Sequence, residues 1–274
     1  MADAGSTTKP PLRVGCVSYL NAKPLVHGLD PARAELRLDV PSKLVDRLRS
    51  GGVDLALCSV VDLFHHGDEL EAVPVGGIAC EGPTLTVRLF SRAPIDRVAA
   101  VHADTDSHTS VALLRVAMHE LYGRSPQLVH YDARTHSAGG HRLDPARPPA
   151  ALLLIGDKVV TQAPSSTVYP YQLDLGAAWH DLTGKPFVFA VWMKRLGVDL
   201  GALPDRLAEL LEHNLRQIDA ITQAYAADHG WPLDLAADYL GNILRYRIGP
   251  RERDAVEDFK NRLAKLSAAP EKTF

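Results

Sequence analysis

The sequence predicts an α/β protein of two lobes, which are joined by a two-segment hinge and followed by a helical C-terminal tail. Three observations predict this fold. A strand, a helix and a second strand follow one another within the first 60 residues, which is the order of a parallel sheet. A further α/β unit lies between two apolar strands, Leu85–Ser91 and Phe187–Trp192. Beyond Leu203 the apolar residues recur at helical spacing.

In the first lobe, hydrophobic periodicity indicates each element. Leu12–Val17 is an apolar run of strand length. Pro41–Arg49 is predicted as a helix because its leucine and valine residues fall on one face, and the glycine pair that follows ends it. Val53–Val60 is predicted as a buried strand. Together these elements predict two parallel strands connected by a helix.

The second lobe is predicted from further apolar runs. A helix follows the polar run Asp104–Ser110 and ends at Gly123, whereas Asp132–Pro149 has no clean period and is predicted as a loop. Three strands complete the lobe, namely Val98–His102, Gln127–Tyr131 and Ala150–Ile155.

The tail is predicted as three helices. Its first helix is long and amphipathic and runs from Leu207 to Ile221. The predicted domain boundaries are 12–91 plus 188–274 for the first lobe, 92–187 for the second lobe and 1–11 for a flexible N-terminus.

Composition excludes several classes of protein. The 274 residues are 46% apolar and 23% charged, with a net charge of −3, so the chain has no electrostatic footprint for nucleic acid or an anionic membrane. No apolar run approaches the roughly 20 residues that a membrane span needs. We therefore expect no nucleic-acid partner and no membrane partner. Monomer and homodimer both remain open.

Cysteine usage and the N-terminal residues favour a cytoplasmic protein. Cys16, Cys58 and Cys80 are widely spaced and form no CxxC pair, so we expect buried, reduced thiols. Residues 1–11 are small and polar and lack the apolar segment of a secretion signal, which makes a cytoplasmic location the expectation.

Polar turns at the ends of predicted strands are the candidate binding residues. Open α/β sheets bind ligands at the carboxyl ends of their strands, and a two-lobed fold brings several such ends to one crevice. The residues that we assign to this crevice as ligand-binding groups are Ser18, Tyr19, Asn21, Ser59, Ser107, Thr109, Ser110, Gly156 and Asp157.

The hydroxyls that begin the helix, Asp157 and a further candidate, Thr86, each have competing interpretations. The hydroxyls at 107–110 sit at a helix N-terminus, where the free N–H groups suit an anion, but taken alone they favour an ordinary N-cap, which is also compatible with ligand binding. Asp157 has the chemistry of a general base, but aspartate after glycine at a strand end also suits a turn. Thr86 lies on the opposite face of its strand from Leu85 and Val87, which points its hydroxyl to the cleft or to the core.

Motifs of several enzyme classes are absent. The sequence has no GxSxG, no P-loop and no GxGxxG that opens a helix. His65-His66, His136 and His141 are interpreted as loop residues, because no third ligand has metal-site spacing. The residues alone therefore predict a two-lobed binder of a small anionic ligand and identify no reaction.

Six segments taken together, in order, resemble a known family, the chorismate dehydratases that begin the futalosine route to menaquinone. The resemblance covers about Arg13 to Trp192, with the helical tail matching by position. Its segments are RVGCVSYLNAKPL (Arg13–Leu25), VDLALCSVVDLF (Val53–Phe64), CEGPTLTVRLFS (Cys80–Ser91), HTSVALLRV (His108–Val116), LLLIGDKVV (Leu152–Val160) and LTGKPFVFAVW (Leu182–Trp192).

The resemblance implies a fold like that of type II periplasmic binding proteins and the conversion of chorismate to 3-[(1-carboxyvinyl)oxy]benzoate by loss of water. It implies no metal and no organic cofactor. Asn21 matches the family's active-site asparagine. Thr86 stands where members often carry a serine that contacts substrate; the hydroxyl is retained and a methyl group is added. Residues 132–149 depart from the family pattern, so no role is assigned there.

The chemistry of chorismate implies positioning more than acid–base catalysis by the protein. The enzyme must fix two carboxylates and the enolpyruvyl side chain, because the same substrate can also rearrange. The matched motifs contain no obvious Asp, Glu or His pair for general base work. We therefore expect the enolpyruvyl carboxylate of the substrate to accept the C3 proton, and Asn21 to act as a neutral clamp.

Other functions share the predicted fold. A solute-binding protein would bind without catalysis. The sister enzyme of the same pathway makes a dihydroxynaphthoate, but the SYLNAKP and EGPTLT segments resemble the dehydratase. A ligand-sensing regulator would need a DNA-binding helix pair or a basic patch, which the sequence lacks.

Overall fold

The computed structural model describes residues 10–138, 141–142 and 147–268, which form two mixed sheets flanked by helices. The first lobe begins the chain, with a single 3-10 turn at Leu20–Ala22. Its elements are β1 (Leu12–Val17), α1 (Lys23–Val26), β2 (Ala34–Asp39), α2 (Pro41–Arg49), β3 (Leu55–Ser59), α3 (Val60–His65) and β4 (Leu70–Cys80).

The second lobe follows β4 directly in the chain. It carries a second 3-10 turn at Ile95–Arg97. Its elements are β5 (Val87–Ser91), β6 (Ala100–Asp104), α4 (His108–Tyr122), β7 (Gln127–Asp132), β8 (Ser137–Ala138), β9 (His141–Arg142), β10 (Ala151–Ile155), α5 (Lys158–Thr161) and β11 (Tyr171–Asp174).

The chain then returns to the first lobe and ends in the helical tail, where Tyr239–Ile243 is a turn of π-helix. The remaining elements are α6 (Leu175–Thr183), β12 (Phe187–Arg195), α7 (Leu203–Leu215), α8 (Ile218–Tyr225), α9 (Leu233–Asp238), β13 (Leu244–Arg245) and α10 (Pro250–Ala268).

The first sheet has the strand order β13-β4-β12-β3-β1-β2. β2, β1 and β3 are parallel, which confirms the predicted pair of parallel strands connected by a helix. β12 returns from the second lobe and runs antiparallel to both of its neighbours. The second sheet has the order β11-β5-β10-β6-β7-β8-β9, with β10, β6 and β7 parallel.

The predicted boundary of the first lobe at residue 91 is wrong. Val87–Ser91 pairs antiparallel with Ala151–Ile155 in the second sheet, so the chain crosses between lobes at 81–86. The return crossing contains α6, and β12 begins in the first sheet at Phe187. The sequence of a strand that is buried on both faces does not indicate which sheet it joins, because such a strand is apolar in either lobe.

The tail also differs from the prediction. The expected long helix from Leu207 to Ile221 is broken after Leu215. The buried amide of Asn214 donates to the carbonyls of Pro24 (3.0 Å) and His27 (2.8 Å), so the end of α7 is held on α1 and the chain turns there. β13 interrupts the predicted run of helices by pairing with β4.

Two predicted segments lie partly outside the described residues. They are the flexible N-terminus, of which only residues 10 and 11 are described, and parts of the loop Asp132–Pro149. The described part of that loop contains the short strand β8, which pairs with β7.

One carboxylate ties the two crossing segments together. Asp174 Oδ1 accepts the backbone N–H groups of Thr84 (2.9 Å), Gly176 and Ala177, and Oδ2 accepts that of Leu85 (2.8 Å). Asp174 thereby caps α6 and holds the outgoing crossing at the same time. A Cβ atom at Gly176 would lie 2.6 Å from the Gly82 carbonyl, so this close approach requires glycine.

The outgoing crossing contains a strained turn. Leu85 has a φ of +66°, a left-handed conformation that is rare for residues other than glycine. The N–H of Thr86 donates to the carbonyl of Thr84 at 2.7 Å, which closes a three-residue γ-turn around Leu85. The hydrogen bonds that Asp174 accepts from Thr84 and Leu85 stabilise this turn. The turn determines the direction of the chain at Thr86.

Asp174→Asn should lower the free energy of unfolding by about 1–3 kcal/mol, because the amide nitrogen cannot accept the N–H of Leu85 and leaves it unsatisfied. Urea denaturation measures this change. Asp30→Asn is the matched control: that carboxylate accepts the N–H of Ala32 and pairs with Arg33 in an exposed turn, and its loss should cost less than about 1 kcal/mol. A wild-type urea midpoint for Asp174→Asn would contradict this account of the hinge.

Candidate active site

The carboxyl ends of strands from both sheets meet across one cleft, and side chains from each lobe bond directly to the other. From the first lobe, the N–H of Ser42 donates to the Asp106 carbonyl and the N–H of Val61 donates to Thr109 Oγ1. Further bonds join Tyr19 to Asp106, and Leu20 to Asp157. The two lobes are therefore closed on each other, with the predicted polar turns between them.

The turn after β1 is packed tightly against the second lobe. Tyr19 donates its hydroxyl proton to Asp106 Oδ2 at 2.9 Å. Its ring covers Gly156, where a Cβ atom would lie 3.0 Å from the ring carbons. Gly156 also has a φ of +66°, so both its conformation and this contact require glycine. Ser18 is exposed, and its N–H donates to the Asp39 carbonyl.

Asp157 connects three parts of the molecule. Its carboxylate accepts the N–H of Leu20, at 3.1 Å to the nearer oxygen, and Oδ2 lies 2.7 Å from Nδ1 of His229 in the tail. Both oxygens thus face groups of the protein. This geometry explains Asp157 as an interlobe link, which is a different role from the general base considered from the sequence.

Asn21 and Thr86 come together around a tyrosine of the tail. Thr86 is buried, and its Oγ1 lies 2.6 Å from the hydroxyl of Tyr239. Burial raises the pKa of Tyr239, while hydrogen bonding with Thr86 and Asn21 opposes that rise. Among the described residues, Asn21 Oδ1 is buried and has no hydrogen-bond partner. The site thus contains an unused amide oxygen beside a hydroxyl pair.

In the sequence, Tyr239 lies within the predicted helical tail and has the local pattern of a core residue. The one signal of a further role is its hydroxyl, which needs a partner when the ring is buried. That partner, Thr86, lies on the crossing between the lobes and is 153 positions away, so the contact was not predictable from local sequence.

The helix α4 begins with the N-cap that the sequence predicts as one alternative. Ser107 Oγ accepts the N–H of Ser110 at 3.2 Å, and the two hydroxyls lie 3.0 Å apart. Thr109 is fully buried, and its Oγ1 accepts a hydrogen bond from the N–H of Val61 in α3. Ser59, which precedes α3, is also buried. Capping is therefore established here, and ligand binding by these groups remains a proposal.

His108 and Asp62 form a pair that the sequence did not suggest. His108 Nδ1 lies 2.7 Å from Asp62 Oδ1, across the boundary between the lobes. The hydrogen bond to Asp62 raises the pKa of His108, and burial opposes this rise. The sequence does not make this pair obvious, because its two residues are 46 positions apart and become neighbours only in the folded chain; that the matched motifs provide no pair for general base work stays a prediction.

A buried charge cluster supports the second-lobe side of the cleft. Lys158 Nζ lies 2.6 Å from one oxygen of Asp104 and 2.6 Å from one of Asp106, and Arg134 approaches Asp106 at 3.3 Å. Burial raises the pKa of Asp104, and the Lys158 ammonium opposes this rise. The cluster neutralises the buried carboxylates and orients Asp106 toward Tyr19.

The remaining expectations concern the cysteines, metal binding, membrane spans and the loop histidines. Cys16, Cys58 and Cys80 are buried and free, as predicted. Within the described ranges, no three His, Cys, Asp or Glu side chains are grouped to hold a metal. In the same ranges, no helix is long and apolar enough to cross a membrane. His136 bonds to the hydroxyl of Tyr131 (2.9 Å), and the side chain of His141 lies outside the described residues.

The fold defines the class of protein. It resembles the CA3427 gene product of Candida albicans, which has the generic periplasmic binding protein fold (TM-score 0.65, 12% identity, 97% of this chain and 92% of that chain). It also resembles the periplasmic aliphatic sulphonate binding protein SsuA of Escherichia coli (TM-score 0.61, 14% identity, 97% and 96%). The protein therefore has the two-lobed periplasmic-binding-protein fold, as predicted.

Sequence comparison then gives the family. A family profile described as menaquinone biosynthesis matches residues 12–265. The chain is 31% identical over 275 aligned positions to a chorismate dehydratase of Thermus thermophilus, covering 95% of this chain and 97% of that protein. The protein belongs to the menaquinone biosynthesis family.

The His108–Asp62 pair should make stability depend on pH. Because the folded state raises the pKa of His108, its contribution is fully present below the pKa of histidine in the unfolded chain and is lost as pH rises through the folded value. Between about pH 6 and about pH 9, Tm should therefore fall more in wild type than in His108→Gln. His130→Gln, at an exposed position, is the control and should follow wild type. Parallel curves for His108→Gln and wild type would contradict the interlobe pairing.

Proposed function

We propose that this protein is a chorismate dehydratase, which converts chorismate to 3-[(1-carboxyvinyl)oxy]benzoate and water in menaquinone biosynthesis. The observation that carries the proposal is the 31% identity to a chorismate dehydratase over 95% of the chain. The closed cleft supports the proposal, because it brings hydrogen-bonding groups of both lobes, among them Asn21 and Thr86, close together. We also propose a cytoplasmic location, which the three buried free cysteines support.

The reaction needs a substrate held in one conformation. Chorismate carries two carboxylates, a hydrogen at C3 and a hydroxyl at C4. The first turn of α4, with the buried hydroxyls of Ser107, Thr109 and Ser110, is our candidate for binding one carboxylate, since helix N-termini favour anions. Ser18, Tyr19, Ser59 and Gly156 complete the proposed walls of the cleft. Closure of the lobes excludes water and thereby suppresses competing reactions.

Asn21 and Thr86 are proposed to hold the departing hydroxyl. A hydroxyl group both donates and accepts a hydrogen bond. The unpartnered Asn21 Oδ1 suits its proton, and the Thr86 hydroxyl suits its oxygen. Both protein groups are neutral, so they add no charge beside a dianionic substrate. The added methyl group of Thr86, relative to serine, leaves this role intact.

The proposed proton acceptor is the enolpyruvyl carboxylate of the substrate. Asp157 faces Leu20 and His229, and His108 is engaged with Asp62 and is 44% exposed at its side chain. Neither group is free inside the cleft. In the proposed step, the C3 proton passes to the substrate carboxylate and the C3–H electron pair forms the ring double bond. The C4–O bond breaks, and the leaving hydroxide takes up that proton as water.

Incubation of the purified protein with chorismate tests the proposal. We expect loss of one water, measured by mass spectrometry, together with the absorbance of a new aromatic ring. Unchanged chorismate would contradict the proposal and favour a solute-binding protein of the same fold.

Asn21→Asp keeps the shape of the side chain but places a negative charge beside the substrate. We expect weaker binding or lost turnover, by about 10²-fold or more in kcat/KM. Normal turnover in Asn21→Asp would contradict the proposed role of Asn21 in the reaction.

Substitution of the two candidate bases tests the proton acceptor. Asp157→Asn and His108→Asn should each lower kcat by much less than the roughly 10²–10⁴-fold expected for a lost general base. Asp157→Asn should act mainly on KM, because it weakens the bonds that link Asp157 to Leu20 in the first lobe and to His229 in the tail. A loss of kcat in that full range by either variant, with substrate binding intact, would overturn proton transfer to the substrate carboxylate.

A further inference from the structure

We infer that Tyr239, a residue of the helical tail, is a positioning residue for dehydration: its hydroxyl donates to Thr86 and so directs the Thr86 proton toward the leaving oxygen. This inference rests on the proposed function. It follows from the count of donors and acceptors around the two hydroxyls, and from the way in which the tail holds Tyr239.

The two hydroxyls form a short hydrogen bond in a dry environment. Thr86 Oγ1 and the Tyr239 oxygen are 2.6 Å apart, and the residues are 3% and 1% exposed. Thr86 reaches this point from the strained hinge, and Tyr239 reaches it from the tail, so the bond connects the crossing between lobes with the C-terminal helices. In a buried site such a bond is strong and polarises its neighbours.

Counting protons gives the direction of this bond. Among the described residues, the Tyr239 hydroxyl makes its one short hydrogen bond to Thr86 Oγ1, whereas the Thr86 hydroxyl has a second acceptor, the Thr84 carbonyl. The Tyr239 proton then has the Thr86 oxygen as its acceptor. The Thr86 proton therefore points away from Tyr239. Its acceptor among the described residues is the Thr84 carbonyl at 3.5 Å, which is at the limit of a hydrogen bond.

The same count leaves one donor and one acceptor for a ligand. The donor is the weakly engaged hydroxyl of Thr86, and the acceptor is Asn21 Oδ1, which has no partner in the described part of the chain. A ligand hydroxyl matches both, because it accepts from Thr86 and donates to Asn21. The C4 hydroxyl of chorismate is such a group. Negative charge grows on its oxygen as the C4–O bond breaks, so donation from Thr86 strengthens toward the transition state.

The tail holds Tyr239 in place for this role. The ring of Trp231 stacks on the Tyr239 ring, with centroids 4.8 Å apart and planes inclined by 17°. Tyr239 also begins the π-helical turn Tyr239–Ile243, and such turns occur frequently at functional sites. Two more buried polar atoms near this ring, Trp231 Nε1 and the Tyr246 hydroxyl oxygen, have no partner among the described residues. The tail therefore presents polar groups where its apolar pattern predicts only packing.

The test is a double-mutant cycle on steady-state kinetics with chorismate. Tyr239→Phe should lower kcat about tenfold while KM stays within about twofold, because the lost bond acts on the transition state. Thr86→Val should lower kcat by at least as much. The double variant should be no slower than Thr86→Val, because Tyr239 acts through the Thr86 hydroxyl. Tyr225→Phe is the matched control. Tyr225 lies in the same tail, and its hydroxyl bonds to His27 Nδ1 of the first lobe at 3.0 Å. The kcat of Tyr225→Phe should equal that of wild type.

Two results would overturn the inference: a kcat of Tyr239→Phe equal to that of Tyr225→Phe, or losses that multiply in the double variant. If Tyr239→Phe does not fold, Trp231→Phe serves instead, because it reduces the ring that stacks on Tyr239. It should lower kcat in the wild-type background and leave kcat of Thr86→Val unchanged, whereas equal fractional losses in both backgrounds would overturn the inference. A wild-type protein that leaves chorismate unchanged would refute the proposed function itself, and the inference with it.

Discussion

The carboxylate of Asp174 is the constraint on which the rest of the structure depends. It accepts four backbone N–H groups, two from each of the segments that cross between the lobes. Without these bonds, nothing in the local sequence would hold Leu85 at a positive φ. The γ-turn around Leu85 in turn determines where the Thr86 side chain lies. A single acidic side chain at the return crossing thus positions a candidate active-site residue on the outgoing crossing.

The two lobes and the tail contribute different groups to the cleft. The first lobe supplies the turn after β1 with Asn21, and the second lobe supplies the N-terminus of α4 and the end of β10. The tail supplies His229 and Tyr239, which bond to Asp157 and Thr86. Each of these bonds joins different parts of the fold, so the closed arrangement of the lobes brings groups from all three parts to one place. This explains how a fold shared with binding proteins can also hold a reacting substrate in one conformation.

Many of the strands and helices were predictable, because they follow from local periodicity and, at helix ends, from glycine. Pro41–Arg49 and the glycine end of α4 match the structure. Several strands were missed. Among them, β2 alternates apolar and charged residues but leaves its leucines exposed, and β4, in the interior of the first sheet, contains a proline and two glycines, which are unfavourable in strands. The lobe assignment of Val87–Ser91 was wrong because pairing partners are not encoded locally.

The candidate site was predictable only in part, for the same reason. Polar turns at strand ends predicted Asn21 and the α4 turn, alternation along the strand suggested Thr86, and the family resemblance implied roles for Asn21 and Thr86. His108–Asp62 and Thr86–Tyr239 are separated by 46 and 153 positions in the chain, so only the folded structure brings them together. Tyr239 in particular has the local pattern of a core residue, and its hydroxyl becomes informative only when its partner is known.

A crystal structure of the protein with 3-[(1-carboxyvinyl)oxy]benzoate bound tests the central claim most directly, namely that substrate is held between the lobes by groups from both crossings. The account predicts the product inside the closed cleft, with the ring carbon that carried the hydroxyl in contact with Asn21 and Thr86. It also predicts an intact bond between Thr86 and Tyr239. Product bound outside the cleft, or bound with Asn21 and Thr86 both out of contact, would contradict the account.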